Sequence, residues 1–221
     1  MNRKFRFSVG EWYHCYSRGV DKRPVFMEEY DKARFHELLY LANDAAPLRL
    51  SEVEMSLVFR HPRTEAIVSV GAYALMGNHY HLILKEIRDG GITTFMRKLG
   101  TAYTMYFNQK YERVGNLFVK PFRAKHLDSD LYFQRAVQYV HANPLDLLEK
   151  GMNVIGLVES LMTYRYSSFV DFYQERAAKS ILGEEVFRLV ARVSSEELVT
   201  QACEYRRALE AQGDTLCLPC S

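Results

Sequence analysis

The chain has 221 residues, 48% of them hydrophobic, with 29 Lys or Arg against 27 Asp or Glu. That composition supports a packed core and excludes a disordered or low-complexity chain, and the length fits one generous domain or one domain with an extension. A net charge of +2 says little about partners, but its distribution says more. From Arg97 to His126, seven basic residues (Arg97, Lys98, Lys110, Arg113, Lys120, Arg123, Lys125) meet one acid, Glu112. The last 48 residues carry six basic and eight acidic ones. The asymmetry favours a polyanionic partner near the middle of the chain.

In chain order, Glu11 to Val20 is aromatic and small, and predicts a first strand that ends at Gly19. Glu28 to Asn43 has apolar residues at helical spacing, Phe35, Leu38, Leu39 and Ala42. Pro47 and Pro62 break the next segment, in which Val58-Phe59 reads as a short strand piece. Ala66 to Met76 is a β-rich apolar run, and Gly77-Asn78 is a tight-turn signal into Asn78-His79-Tyr80-His81-Leu82-Ile83-Leu84. Those two strands should form an antiparallel hairpin.

Ile92 to Tyr111 predicts a helix, and Leu117 to His126 a strand in which Pro121 implies an edge position or a bulge. Asp128-Ser129-Asp130 offers N-caps for a helix from about Leu131 that Pro144 limits. The order strand, helix, strand, strand, helix, strand, helix predicts an α+β fold: a ferredoxin-like antiparallel sheet with helices on one face. We expect residues 1–145 to form this domain and residues 146–221 a mostly helical C-terminal extension. Cys15, Cys203, Cys217 and Cys220 match no disulfide framework, so reduced thiols are expected. Met1-Asn2-Arg3-Lys4 is followed by no apolar signal core, and no apolar run is long enough to span a bilayer.

The chemistry-bearing residues lie on two of these elements. On a strand, side chains at i and i+2 share a face, so His79 and His81 project side by side as a potential pair of metal ligands. Such a pair standing alone is more often two ordinary strand histidines. On the helix before Pro144, Tyr139 and Asn143 are i and i+4 and lie one turn apart on one face. Tyr132 is the competing tyrosine, two turns earlier. Asn143 reads equally as a helix C-cap. Arg123 and Lys125 share one face of their strand and could hold phosphates, as could Arg18 on the first strand.

Met76-Gly77-Asn78-His79-Tyr80-His81-Leu82-Ile83-Leu84, Tyr103-x-x-Tyr106-Phe107-Asn108, Gly115-Asn116-Leu117-Phe118, Phe122-Arg123 and Tyr139-Val140-x-x-Asn143-Pro144 occur in this order. The set resembles the single-tyrosine HUH transposases, most closely the REP-associated tyrosine transposases of bacteria. Tyr164-Arg165-Tyr166-Ser167-Ser168-Phe169 is similar to a Trp-Ser-Ser segment of that branch, with Tyr166 where tryptophan is usual. The resemblance spans about Trp12 to Tyr173.

It implies cleavage and rejoining of single-stranded or hairpin DNA, such as REP-like repeats, through a 5′-phosphotyrosine and a free 3′-hydroxyl. It implies Tyr139 as nucleophile, and His79, His81 and Asn143 as ligands of a divalent metal, Mg²⁺ or Mn²⁺. Arg123, Lys125, Arg18, Arg97, Lys98 and Lys120 are then expected to contact nucleic acid. A cytoplasmic, nucleoid-associated protein, monomeric or homodimeric and without a membrane partner, follows from the same resemblance. The competing readings are a single-strand-binding module without chemistry and a metal-dependent nuclease in which water attacks.

Overall fold

The computed structural model describes residues 6–147, 152–190 and 193–212. Met1 to Lys4, Cys217 and Cys220 lie outside them. Four strands, β1 (Trp12–Arg18), β2 (Val68–Leu75), β3 (His79–Glu86) and β4 (Arg123–Leu127), make one sheet of order β2-β3-β1-β4. All three pairings are antiparallel, and β2 and β3 form the expected hairpin around Met76-Gly77-Asn78. The helices are α1 (Glu29–Leu41), α2 (Gly91–Lys110), α3 (Asp130–Ala142), α4 (Val154–Thr163), α5 (Phe169–Tyr173), α6 (Val186–Leu189) and α7 (Ser195–Gln212). The predicted α+β class holds, with an all-helical C-terminal part among the described residues.

Two segments differ from the sequence reading. Val58-Phe59 lies in a 3₁₀ turn, Met55–Arg60, and not in a strand. Residues 117–122 are irregular, and β4 begins only after Pro121. Proline has no N–H for the ladder, so regular pairing starts beyond it, on the expected edge strand.

Strand alternation sorts the core. Tyr80, Leu82 and Leu84 of β3 face α1 and α2, where Phe35, Leu38, Phe95, Leu99 and Tyr103 are almost fully buried. Asp31 locks these helices together. Its carboxylate accepts from the Met27 and Glu28 N–H groups at 2.9 and 3.1 Å, capping α1. It also accepts from Tyr106 Oη (2.9 Å), Tyr111 Oη (2.7 Å) and Lys110 Nζ (2.7 Å) of the α2 end. Tyr103 and Tyr106 therefore serve the core, as their spacing beside Phe107 predicts.

The opposite face carries His79 and His81 and is crossed by α3. Trp12 anchors that helix through Phe133, ring centroids 4.7 Å apart. A register shift in β2 at Gly71 makes room, because a Cβ there would stand 2.8 Å from the Trp12 ring. The sheet is thus covered on both sides: α1 and α2 take one face as expected, and α3 lies over the histidines.

The segment after α4 closes the outer edge of β2. Leu75 N–H donates to Tyr166 O at 3.0 Å and Ser168 N–H to Tyr73 O at 2.9 Å. An unpaired strand edge invites association, and this segment occupies it. Tyr73 Oη donates to the buried Asp171 carboxylate (2.8 Å), which Arg176 also contacts at 2.9 Å. Helices α4, α5 and α7 share a smaller core of Val158, Leu161, Phe169, Leu198 and Val199.

Candidate active site

Three neighbouring strands build the floor of the site. The register sets Tyr16 opposite His81 on one side and Arg123 on the other, and Arg18 opposite His79. His14 stands opposite Ile83 and Lys125 on the same face. His79, His81, His14, Tyr16, Arg18, Arg123 and Lys125 therefore share one side of the sheet.

The turn holds His79. Asn78 Nδ2 donates to Lys22 O at 3.0 Å, and Asn78 Oδ1 lies 2.7 Å from His79 Nδ1. That oxygen can only accept, so His79 carries its proton on Nδ1 and presents a lone pair on Nε2. The His79 and His81 ring centroids are 5.0 Å apart. Both side chains are buried, at 6% and 0% exposure, because α3 covers the face that a sheet with helices on one side only would leave open.

Helix α3 is positioned from both ends. The Ser129 hydroxyl caps it by accepting from Tyr132 N–H at 3.3 Å. Phe133, Val137 and Val140 form the buried stripe. Asn143 is the C-cap residue, and its Nδ2 donates to Tyr139 O at 2.8 Å. Only its Oδ1 could then serve as a ligand, since an amide nitrogen has no available lone pair.

The helix brings Tyr139 to the histidines. Its ring centroid lies 5.9 Å from that of His81 and 6.1 Å from that of His14. Lys125 Nζ lies 5.3 Å from the ring centre of Tyr132. His14, which the sequence reading missed, is fully buried with Nε2 2.9 Å from His81 Nδ1. Its signal was available in the alternation Trp12, His14, Tyr16, Arg18 on a strand beside the histidine strand.

Burial and the Lys125 charge push the His14 pKa down to about 3. Burial, with Arg18 acting in the same direction, lowers that of His79 to about 4, although Asp146 opposes it. Both are neutral imidazoles near pH 7, the form a metal requires. A cavity of about 500 Å³ opens beside His79, lined also by Asn78, Lys22 and Asp146. Asp146, in the 3₁₀ turn after α3, is a second residue that the sequence reading missed.

The basic residues divide into three groups. Arg18, Arg123 and Lys125 share the histidine face. Arg18 Nη1 is buried with no hydrogen-bond partner among the described residues. Arg97 and Lys120 meet instead on the other side of the sheet, at a cleft of about 580 Å³ floored by Ser17 and Tyr80. Lys98 joins neither group, since its ammonium donates to Asp44 O and Ala46 O (2.6 Å to the latter) and ties α2 to the loop after α1.

Two imidazole nitrogens with an amide oxygen would form a donor set of mixed character, better suited to Mn²⁺ than to Mg²⁺. Among the described residues no cluster of three or more His, Cys, Asp or Glu could hold a metal ion, so any site here needs the amide or another oxygen to complete it. No helix among them is long and apolar enough to cross a membrane.

Fold and site together define an α+β domain with a buried histidine–tyrosine cluster between an antiparallel sheet and a crossing helix. No protein-family profile matches the chain, and no curated protein matches it. A solved structure described as "Structure of the REP associates tyrosine transposase bound to a REP hairpin" aligns with 88% of this chain and 98% of that one, at 13% identity and a TM-score of 0.49. The likeness is one of fold.

Proposed function

We propose that this protein is a single-strand DNA endonuclease and strand transferase of the tyrosine-transposase type, with Tyr139 as nucleophile. The observation that carries the reading is the convergence of Tyr139 with His81, across two elements far apart in sequence. Of the ordered motifs that resemble the family, those holding His79, His81 and Tyr139 lie on β3 and α3, and the others on α2, in the loop after it and at the start of β4.

The chemistry suits the groups. The Tyr139 oxygen attacks a DNA phosphorus, the bond to the 3′-oxygen breaks, and the phosphate remains on tyrosine as an ester at the 5′ end. The ester conserves the energy of the broken bond, so the released 3′-hydroxyl can reverse the step without a nucleotide cofactor. A phenol with an ordinary pKa near 10 must lose its proton during attack. Arg18, with a buried nitrogen that has no hydrogen-bond partner among the described residues and a place beside His79, is suited to a phosphate oxygen. His79, His81 and Asn143 would hold a divalent ion, which when bound offsets charge on the scissile phosphate.

The test uses labelled single-stranded hairpins with Mn²⁺ or chelator, read on denaturing gels. The wild-type protein should form a covalent adduct, Tyr139→Phe should bind DNA without adduct or nick, and Tyr132→Phe should stay active. An adduct mapped to another tyrosine overturns the assignment. Cleavage by Tyr139→Phe without any adduct favours a water nucleophile, and binding without chemistry in the wild type favours a binding module.

A further inference from the structure

A nucleophile on one element must be held closely against partners on another, and a misplacement of about 1 Å costs roughly 100-fold in rate. Burial of Phe133, Val137 and Val140 chooses the inner side of α3, but apolar packing is non-directional. We propose that Ser168 and His141 are positioning residues that fix the setting of α3 on the sheet, and with it the place of Tyr139. The inference rests on reading Tyr139, His79 and His81 as one site.

Ser168 is a fixed point in the frame of the sheet. Its N–H donates to Tyr73 O at 2.9 Å, and its hydroxyl accepts from Tyr73 N–H at 2.9 Å. Tyr73 of β2 pairs with Leu82 of β3, and the next residue, Ala74, pairs with His81. The Arg176 guanidinium holds the turn before Ser168, donating to Arg165 O at 2.7 Å and to Ser167 O at 3.0 Å. From this point one side-chain contact reaches the nucleophile helix. His141 Nε2 lies 2.8 Å from Ser168 Oγ, across 27 positions of sequence, and both residues are fully buried.

Helix geometry carries the constraint to the site. Two residues turn an α-helix by about 200° and advance it by about 3 Å, so His141 and Tyr139 project to nearly opposite sides of α3. Rotation of the helix about its axis moves both rings together. A directional hydrogen bond at one ring therefore resists movement of the other. Packing alone does not explain an imidazole at 141. Its ring lies among Phe169 and Phe172, with centroids 5.9 and 4.9 Å away, and its Nδ1 has no hydrogen-bond partner among the described residues. An apolar ring would fill that pocket without the cost of an unpartnered buried polar atom. What histidine adds there is the contact to Ser168.

The test cuts the contact from either end in the full-length chain. Ser168→Ala removes the hydroxyl, and His141→Phe keeps a ring in the aromatic pocket but removes both nitrogens. Each variant should bind the labelled hairpin as the wild type does and, at saturating hairpin, form adduct about tenfold more slowly. The double variant should be no slower than the slower single one, because both changes remove the same link. His141→Gln, whose amide can still hydrogen-bond a hydroxyl, should recover most of the rate. Melting curves separate positioning from stability, since His141→Phe should lose rate without melting lower. A readout free of DNA is the fluorine spectrum of protein labelled with 3-fluorotyrosine, in which the Tyr139 signal is the one missing from Tyr139→Phe. Both single variants should move that signal. If one of them does not fold, as its melting curve would show, Ser168→Gly or His141→Leu takes its place. Rates equal to the wild type, or losses that multiply in the double variant, would reduce the contact to ordinary packing. Faster adduct formation would show that the contact restrains Tyr139 instead of placing it. Absence of an adduct in the wild type defeats the proposed function, and the fluorine signal then decides alone: if it stays in place in both folded variants, this inference is overturned.

Discussion

His81 shows how burial changes the meaning of a substitution. Its ring is packed against His14, His79, Tyr16 and Tyr139, with centroids 5.1, 5.0, 6.0 and 5.9 Å away. His81→Ala removes that ring from a closed site and leaves a cavity, so unfolding free energy should fall by about 2 kcal/mol or more, within the range for truncation of large buried side chains. Urea denaturation measures this directly, and an unchanged midpoint would contradict the packing. Loss of cleavage in that variant therefore does not isolate chemistry. His79→Gln is the cleaner probe, because His79 borders the cavity rather than the closed interior.

At the scale of elements, β4 is where charge meets the site. Arg123 and Lys125 sit at alternate positions, facing Tyr16 and His14 on the neighbouring strand. Replacing both by Gln should weaken DNA binding across sequences and reduce the slope of log K against log salt by about one for each phosphate no longer neutralised. Binding isotherms at several salt concentrations read the slope. Lys98→Gln is the internal control. Its ammonium is engaged by two loop carbonyls, so the slope should stay as in the wild type. If instead Lys98 carries the slope and β4 does not, the assignment of the histidine face as the DNA face fails.

The whole molecule stores a pH dependence away from the site. His36 is buried beside Tyr73, Phe59 and Tyr166, and His141 beside Phe169 and Phe172. Burial lowers both pKa values to about 3, and the charges of Arg176 and Arg165 add to the effect on His36. In the unfolded chain both return to about 6.5. The unfolded state then binds more protons below that pH. Their contribution to stability is complete above about pH 6.5 and is lost as pH falls towards 3, at about 1.4 kcal/mol per pH unit for each group. Urea midpoints should be level between pH 7 and 8 and fall steadily from pH 6.5 to 5. A flat profile down to pH 5 would show that these histidines are not held neutral. Since His36 contacts Tyr73 Oη and His141 contacts Ser168 Oγ, both at 2.8 Å, acid should also loosen the segment that covers the β2 edge.

What the sequence determined by itself was local. Alternation placed His79 and His81 on one face of one strand, helical spacing placed Tyr139 one turn before Asn143, and Pro144 and Ser129 bounded the helix between them. These are properties of a period and of a missing N–H, and they need no distant partner. Everything that depends on which face meets which was decided by the tertiary structure. Crossing of α3 over the histidine face buries the pair and brings Tyr139 to it. Strand order β2-β3-β1-β4 sets β1 beside the histidine strand, which brings His14 to His81 across 67 positions of sequence. The same packing sends Arg97 and Lys120 to the far side of the sheet and turns Lys98 into a loop anchor, although in sequence they belong to one basic run with Arg123 and Lys125. Charge is written in the chain, but the direction of a charged side chain follows from the fold, because burying apolar surface fixes the backbone and the long polar side chains find their partners afterwards.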